Sequence, residues 1–249
     1  MIEQIEAHSF LSTPPSNEKE YDGWLLRCAG GRTKRYNSVN FPTKLSGTLP
    51  IDVKIEFCED FYRKDNMACR FRITPLASPH DLDDLLVERG YDRVDPTDVS
   101  VLQLTGFNPQ STNTSALISD QISEAWINKL CELTDRDANQ RKAFTEMKAR
   151  LKIPHFSASI IQDGKIVSVG FATVHDGIMG LFEFATDPNY RRQGLAANIV
   201  NSLLNYGQQL GVIRAYIQVV QSNEAGKKFW NDVGFTKVEY EYSYLCKNT

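Results

Sequence analysis

Apolar and polar positions fall into blocks of distinct period along the second half of the chain. Leu117, Ile118, Ile122, Trp126 and Leu130 recur at helical spacing, and Phe144, Met147 and Leu151 do so more loosely after Asp135-Arg136-Asp137. Three strand-like runs follow, Phe156 to Ile161, Lys165 to Val174 and Ile178 to Thr186, separated by Asp163-Gly164 and Asp176-Gly177. Asp-Gly between apolar runs predicts hairpins, because both residues tolerate positive φ. From Gly194 to Leu210 the residues Leu195, Ile199, Leu203 and Leu210 line one side of a helix, widened by Val200 and Leu204, and Gly211 is a stop. Ile213, Ala215, Ile217 and Val219 alternate as a strand, and Ser222 or Asn223 caps a short helix ending at Gly234. Two closing strands are expected at Phe235 to Val238 and Glu241 to Leu245. The order ααβββαβαββ predicts an α/β arrangement on a mixed sheet.

The first half carries a shorter version of this order. Trp24 to Ala29 and Tyr36 to Phe41 read as strands paired around Gly30-Gly31, Ile51 to Arg63 as a helix, and Cys69 to Thr74 as a strand. His80 to Arg89 reads as a helix, and Tyr91 to Val94 and Val99 to Leu104 as strands. That is ββαβαββ, matching the end of the second half. The stretch Leu85 to Val94 also lies against Phe229 to Val238, with Gly90-Tyr91 over Gly234-Phe235. A tandem duplication with a decayed first copy fits this better than a chance likeness of short α/β elements. Between the halves, Gly106 to Thr114 is polar and turn-rich. The expected division is a first domain over 1–106, a linker over 107–114 and a second domain over 115–249.

Composition narrows the setting. The 249 residues are 41% hydrophobic and 24% charged, as in a soluble globular protein, and a net charge of −3 gives no general attraction to nucleic acid or anionic membrane. The five cysteines are scattered without a Cys-x-x-Cys pair, which argues against a disulfide framework or a metal cluster. The first residues lack a signal-peptide pattern, and no apolar run reaches membrane-spanning length. The expectation is a cytoplasmic protein, monomer or homodimer, with no metal, nucleic-acid or membrane partner.

The most specific chemistry lies in Thr186-Asp187-Pro188-Asn189-Tyr190-Arg191-Arg192-Gln193-Gly194-Leu195-Ala196. A strand entering a basic, glycine-bearing turn and then a helix leaves backbone N–H groups unpaired at the positive end of the helix dipole. Such a turn suits a phosphate or pyrophosphate. Gly194 permits close approach of a ligand, and Ala196 keeps the next position small. The first half has no counterpart of this turn.

The second half resembles the GNAT superfamily of acyl-coenzyme A dependent N-acetyltransferases. The family's basic-or-amide, two variable, Gly, variable, Gly-or-Ala turn stands here as Arg191-Arg192-Gln193-Gly194-Leu195-Ala196. Its second signature stands as Asn223, Ala225-Gly226, Trp230 and Gly234-Phe235. The resemblance covers about residues 115–247 and implies acetyl-CoA as co-substrate. It implies a pyrophosphate contact for Arg191, Arg192, Gln193, Gly194, Leu195, Ala196 and Ala197. It also implies pantetheine pairing along Phe184, Ala185 and Thr186, at a bulge that splays the fourth strand from the fifth. Asn223 is the implied pantetheine contact, or a helix cap, or both. Trp230 joins the cofactor set, and one of Arg191 and Arg192 serves only as a solvated charge.

The implied reaction is acyl transfer to an amine, a small-molecule primary amine first and a peptide or protein amine second. Many relatives place a proton-donating tyrosine four residues before Gly-Phe. This chain has Trp230 there, whose indole N–H is no general acid. Tyr240, Tyr242 and Tyr244 alternate on the last strand, either as packing or with one, Tyr242, as replacement acid. Glu183 is the candidate base, against a bland reading as an exposed strand carboxylate. His155 and His175 match no family position and read as surface residues. The stretches Trp24 to Arg27 and Arg32 to Asn40 resemble N-terminal halves found ahead of some bacterial GNAT domains. They form either an acidic-ligand patch or a charged hairpin face, with Asn37-Ser38 lining a cleft. A non-catalytic acyl-CoA-binding module is the rival reading, kept open by Trp230.

Overall fold

A computed structural model describes residues 1–29, 33–44, 47–108 and 116–247. The expected turn at Gly30-Gly31, Arg32, and the linker from 109 onward lie outside the described residues. The chain forms two compact units that interleave along the sequence. One comprises Met1–Val99, Gln218–Glu224 and Val238–Thr249; the other comprises Ser100–Ile217 and Ala225–Lys237. The closing strand of the chain therefore groups with the first unit, not with 115–249. Among the described residues, no helix is long and apolar enough to cross a membrane.

In the first unit, α1 (Ile2–Ser12) precedes the hairpin β1 (Asn17–Tyr21) and β2 (Trp24–Cys28). Neither α1 nor β1 is visible in the hydrophobic pattern. The hairpin turns at Asp22-Gly23, both at positive φ, as a two-residue hairpin loop requires. A short 3-10 turn (Lys34–Tyr36) leads to β3 (Ser38–Asn40), then α2 (Ile51–Arg63), β4 (Arg70–Ile73), α3 (Leu82–Glu88) and β5 (Asp92–Gln103). The two strands expected at 91–94 and 99–104 are one, with Asp95 at φ 50 absorbing the irregularity before Pro96. The strand order is β1-β2-β3-β4, followed by β11 (Lys237–Cys246) and β5. The two closing strands expected from the sequence are likewise this single strand.

The two faces of the first unit's sheet differ. Trp24, Leu26, Val39, Phe41, Phe71 and Leu245 pack with Ile55, Cys58 and Tyr62 of α2 and Leu82 and Leu86 of α3. On the alternate residues, Arg27, Ser38, Asn40, Arg72, Tyr240, Tyr242 and Tyr244 are all buried as well. The Glu6 carboxylate of α1 accepts from both Arg72 terminal nitrogens and from the Tyr240 hydroxyl. Ser9 accepts from Gln218, 3.1 Å away. Arg27, expected on a charged hairpin face, is 1% exposed and donates to Glu18 and to the Phe10 and Thr13 carbonyls. Burial of that guanidinium is tolerated because nearby acceptors replace its water.

The second unit opens with β6 (Leu117–Ser119), which pairs with β7 (His155–Gln162). The helix expected from Leu117 instead begins at Glu124, as α4 (Glu124–Leu133), because the Ser123 hydroxyl caps it by accepting from the Trp126 amide. α5 (Ala138–Ala149), β8 (Lys165–His175), β9 (Ile178–Thr186), α6 (Leu195–Gln209), β10 (Arg214–Val220) and α7 (Glu224–Asp232) follow as expected. The strand order is β6-β7-β8-β9-β10, with the last residues of β5 beside β10. Strand β8 is central and buried on both faces: Phe171 meets Trp126 of α4, while Gly170 lies against α6. A Cβ on Gly170 would stand 2.6 Å from Ile199 Cγ2, so only glycine fits there.

Along the sequence, the two halves of the chain repeat one order of elements. β1-β2-β3-α2-β4-α3-β5 parallels β7-β8-β9-α6-β10-α7-β11. Each contains an antiparallel run followed by a parallel pair that meets only briefly. β3 and β4 pair at Val39↔Phe71 alone, and β9 and β10 only over Ile178–Gly180 against Arg214–Tyr216. The undetected β1 is the strand that completes the match.

Candidate functional site

Strand β9 builds one side of the site. Its register against β8 runs from His175↔Ile178 to Phe171↔Phe182, then resumes at Val169↔Ala185. Three steps along β9 thus answer two along β8, which is a bulge, and Glu183 carries it at φ 58. Beyond Gly180 the strand has parted from β10, so the backbone of Phe184, Ala185 and Thr186 on that side is not in a β9–β10 ladder. Trp230 of α7 packs edge-on against Phe184, ring centroids 5.1 Å apart, and against Phe235 at 5.4 Å. The indole thus buttresses the end of the bulged strand.

After β9 the chain is held by Asp187. Its amide donates to the Val167 carbonyl, and its carboxylate accepts from the Asn189 amide at 3.1 Å and from Lys129 Nζ at 2.8 Å. The Lys129 hydrogen bond, then the Asn189 amide, hold the Asp187 carboxyl below the usual carboxylate range. A 3-10 turn over Pro188–Tyr190 leads into the basic turn, where Arg191 Nε donates to the Thr186 carbonyl at 3.3 Å. Arg192 (φ 64) and Gly194 (φ 75) both adopt the left-handed conformation, flanking Gln193. Alternating backbone hands of this kind turn successive N–H groups toward one side.

Gly194 is the N-cap of α6, and no side chain caps the helix. The first helical bond runs from the Asn198 amide to the Gly194 carbonyl, 2.9 Å. Among the described residues, no backbone acceptor meets the amides of Gln193, Gly194, Leu195, Ala196 and Ala197. A Cβ on Gly194 would have no atom within 4 Å, so the space before the helix is open. Arg191, Arg192 and Gln193 are exposed around it. Open donors, a helix dipole and two cations meet the requirements of a pyrophosphate without any added residue.

On the other side of the bulge stands a residue that the sequence reading passed over. Arg136, in the connection between α4 and α5, donates from Nη2 to Glu183 Oε2 at 2.5 Å, and its guanidinium lies 4.5 Å from the Phe144 ring centroid. Both groups are about four-fifths buried. Glu183 is therefore an ion-paired carboxylate, not an exposed one. The signal available beforehand was only an arginine between two acidic residues, Asp135-Arg136-Asp137.

The remaining candidates have their own surroundings. Asn223 is exposed, its amide donates to the Val220 carbonyl, and it precedes α7. Tyr242 belongs to the first unit and Glu183 to the second. The Tyr242 hydroxyl donates to Gln218 Oε1 at 3.0 Å, its ring faces Arg72, and it is buried. Burial pushes that phenol up, but the Arg35 and Arg72 guanidiniums outweigh it and hold it below its ordinary range. Tyr240 and Tyr244 are buried beside it, so the tyrosine stripe is a packed polar face. Asn37 and Ser38 are wholly buried. His155 is half-buried with Nδ1 3.0 Å from the Ile153 carbonyl, and His175 is exposed.

A bulged fourth strand splayed from the fifth, followed by a basic glycine turn on a helix start, defines the GNAT acyltransferase fold. The chain belongs to the family described as probable histone acetyltransferase Rv0428c C-terminal, whose model matches residues 1–245. It is 25% identical to the uncharacterized N-acetyltransferase YobR of Bacillus subtilis (strain 168) over 250 residues, 99% of this chain and 98% of that protein. Among solved structures, a GCN5-related N-acetyltransferase from Kribbella flavida superposes with a TM-score of 0.67 at 13% identity, covering 100% of this chain and 95% of that one. A tandem GNAT protein from the clavulanic acid biosynthesis pathway gives 0.68 at 11% identity, covering 97% and 86%. These likenesses bear out the mixed α/β GNAT fold, and the second agrees with a tandem arrangement.

Proposed function

We propose that the second unit transfers an acetyl group from acetyl-CoA to a primary amine, that of a small molecule first and of a peptide or protein second. The observation that carries this reading is the run of unpaired amides from Gln193 to Ala197 at the start of α6. Those amides with Arg191 and Arg192 hold the pyrophosphate, the released edge of β9 at Phe184 to Thr186 pairs with the pantetheine amides, and Trp230 borders that arm. The first domain, residues 1–106, is a duplicate without the anion turn, and the chain acts in the cytoplasm as a monomer or homodimer.

Glu183 takes the proton from the acceptor's ammonium, directly or through one water. The neutral nitrogen then bonds to the acyl carbon, the carbon–sulfur bond breaks, and its electron pair leaves on sulfur. A thiol has a pKa of about 8.5, so a thiolate is a competent leaving group near neutral pH, and the second proton, released by the nitrogen as the amide forms, passes through solvent to the sulfur. Trp230 is compatible with catalysis on this account, and Tyr242, with its hydroxyl given to Gln218, has no step. A thiol-release assay over a panel of amines, with the acetylated product identified by mass, tests the reading. Amine-dependent release is expected; acetyl-CoA binding without turnover on any amine would make the chain a binding module instead.

A further inference from the structure

The Arg136–Glu183 pair is more built than an incidental ion pair. The Arg136 amide closes the end of α4 by donating to the Cys131 carbonyl at 3.0 Å, with Asp135 at φ 49 before it. Asp137, immediately after, caps α5 in a reciprocal box with Gln140. Residue 136 is thus fixed on both sides by helix ends, and the Phe144 ring backs its guanidinium. Only part of that guanidinium is used. Nη2 serves Glu183, whereas Nη1 is shielded from water and has no hydrogen-bond partner. A desolvated guanidinium donor without an acceptor is costly, and the planar fork matches a carboxylate.

We infer that Arg136 reads a carboxylate on the acceptor, so the substrate is an amine bearing a carboxylate a few bonds from its nitrogen. The inference rests on the acyltransferase reading and narrows its substrate class. The Arg136 and Glu183 side chains each keep about a fifth of their surface exposed at the bulge, a positive and a negative group side by side, and their complement is a molecule with an ammonium and a carboxylate. The ammonium goes to Glu183 and the carboxylate to Arg136. An acceptor carboxylate that engages Arg136 also loosens its hold on Glu183, leaving the Glu183 oxygens open to the acceptor's ammonium. The right acceptor therefore frees the carboxylate that receives its ammonium. Polycationic amines gain nothing from Arg136 and are repelled by it.

The test compares matched acceptors, α- and β-amino acids against their own amides, by acetyl-CoA-dependent thiol release in the wild type, Arg136→Gln and Arg136→Lys. The wild type is expected to prefer acids over amides at least tenfold in kcat/KM, chiefly through KM. Arg136→Gln should bring that ratio close to one, and Arg136→Lys should keep part of it. Amides used as well as acids by the wild type, or an acid preference that survives Arg136→Gln, would overturn the assignment while leaving the acyltransferase reading intact. Acetyl-CoA binding with no turnover on acids, amides or unrelated amines would overturn both.

Discussion

Replacing Gly194 separates the two physical contributions to the anion turn. Gly194 sits at φ 75 with open space where a side chain would begin. Alanine there meets no clash and suffers only the left-handed backbone, which costs a non-glycine residue about 1–2 kcal/mol. If the turn relaxes in the free protein, acetyl-CoA must restore it, so affinity falls by roughly 5- to 30-fold. Gly194→Gln adds bulk at the same backbone cost. Gly194→Glu adds a charge as well. A carboxylate about 5 Å from each of two phosphate charges is opposed by about 1.7 kcal/mol in all in bulk-water dielectric, and by about 7 kcal/mol at an effective dielectric near 20. The Glu variant should therefore bind at least tenfold more weakly than the Gln variant at low salt. Because the Debye length shrinks to about 3 Å at 1 M salt, the gap should narrow there, while the Ala deficit persists. Isothermal titration with acetyl-CoA at two salt concentrations reads both quantities. Equal affinities for Gly194→Gln and Gly194→Glu would place the pyrophosphate elsewhere.

Glu183→Gln should lower kcat by about 10²- to 10⁴-fold, as loss of a general base does, while acetyl-CoA affinity in the same titration stays within threefold of wild type. A kcat within fivefold of wild type would remove Glu183 from proton transfer. In the first unit, Glu6→Ala strands the buried Arg72 charge and takes the acceptor from Tyr240. Breaking a buried pair from one side costs about 3–5 kcal/mol. A melting temperature lowered by roughly 6–20 °C is expected for a chain of this size, read by calorimetry. An unchanged melting temperature would mean that the polar face is not supporting the unit.

The elements that positioned the anion site were legible because their signals are local. Strand β9, the turn and α6 followed from Asp176-Gly177, an apolar run, Gly194 and a helical stripe. The bulge was expected from family resemblance alone, and the periodicity of Ile178 to Thr186 gives no hint that Glu183 turns left-handed. α1 was invisible for a different reason. Its buried residues include Glu6, His8, Ser9 and Ser12, so the side facing the sheet is polar and leaves no apolar stripe. β1 is a polar, mostly exposed strand, Asn17-Glu18-Lys19-Glu20-Tyr21, held by its ladder to β2. Leu117 and Ile118 fell into phase with the α4 stripe by coincidence, and only strand pairing with β7 distinguishes them. Arg136 was missed because its meaning depends on a partner 47 positions later in the chain.

Titration of the unmodified protein with acetyl-CoA tests the central claim most directly. Saturable one-to-one binding is predicted, retained by desulfo-coenzyme A and reduced by Gly194→Glu, since the pyrophosphate cradle supplies most of the recognition. Absence of binding to acetyl-CoA at millimolar concentration would contradict the account.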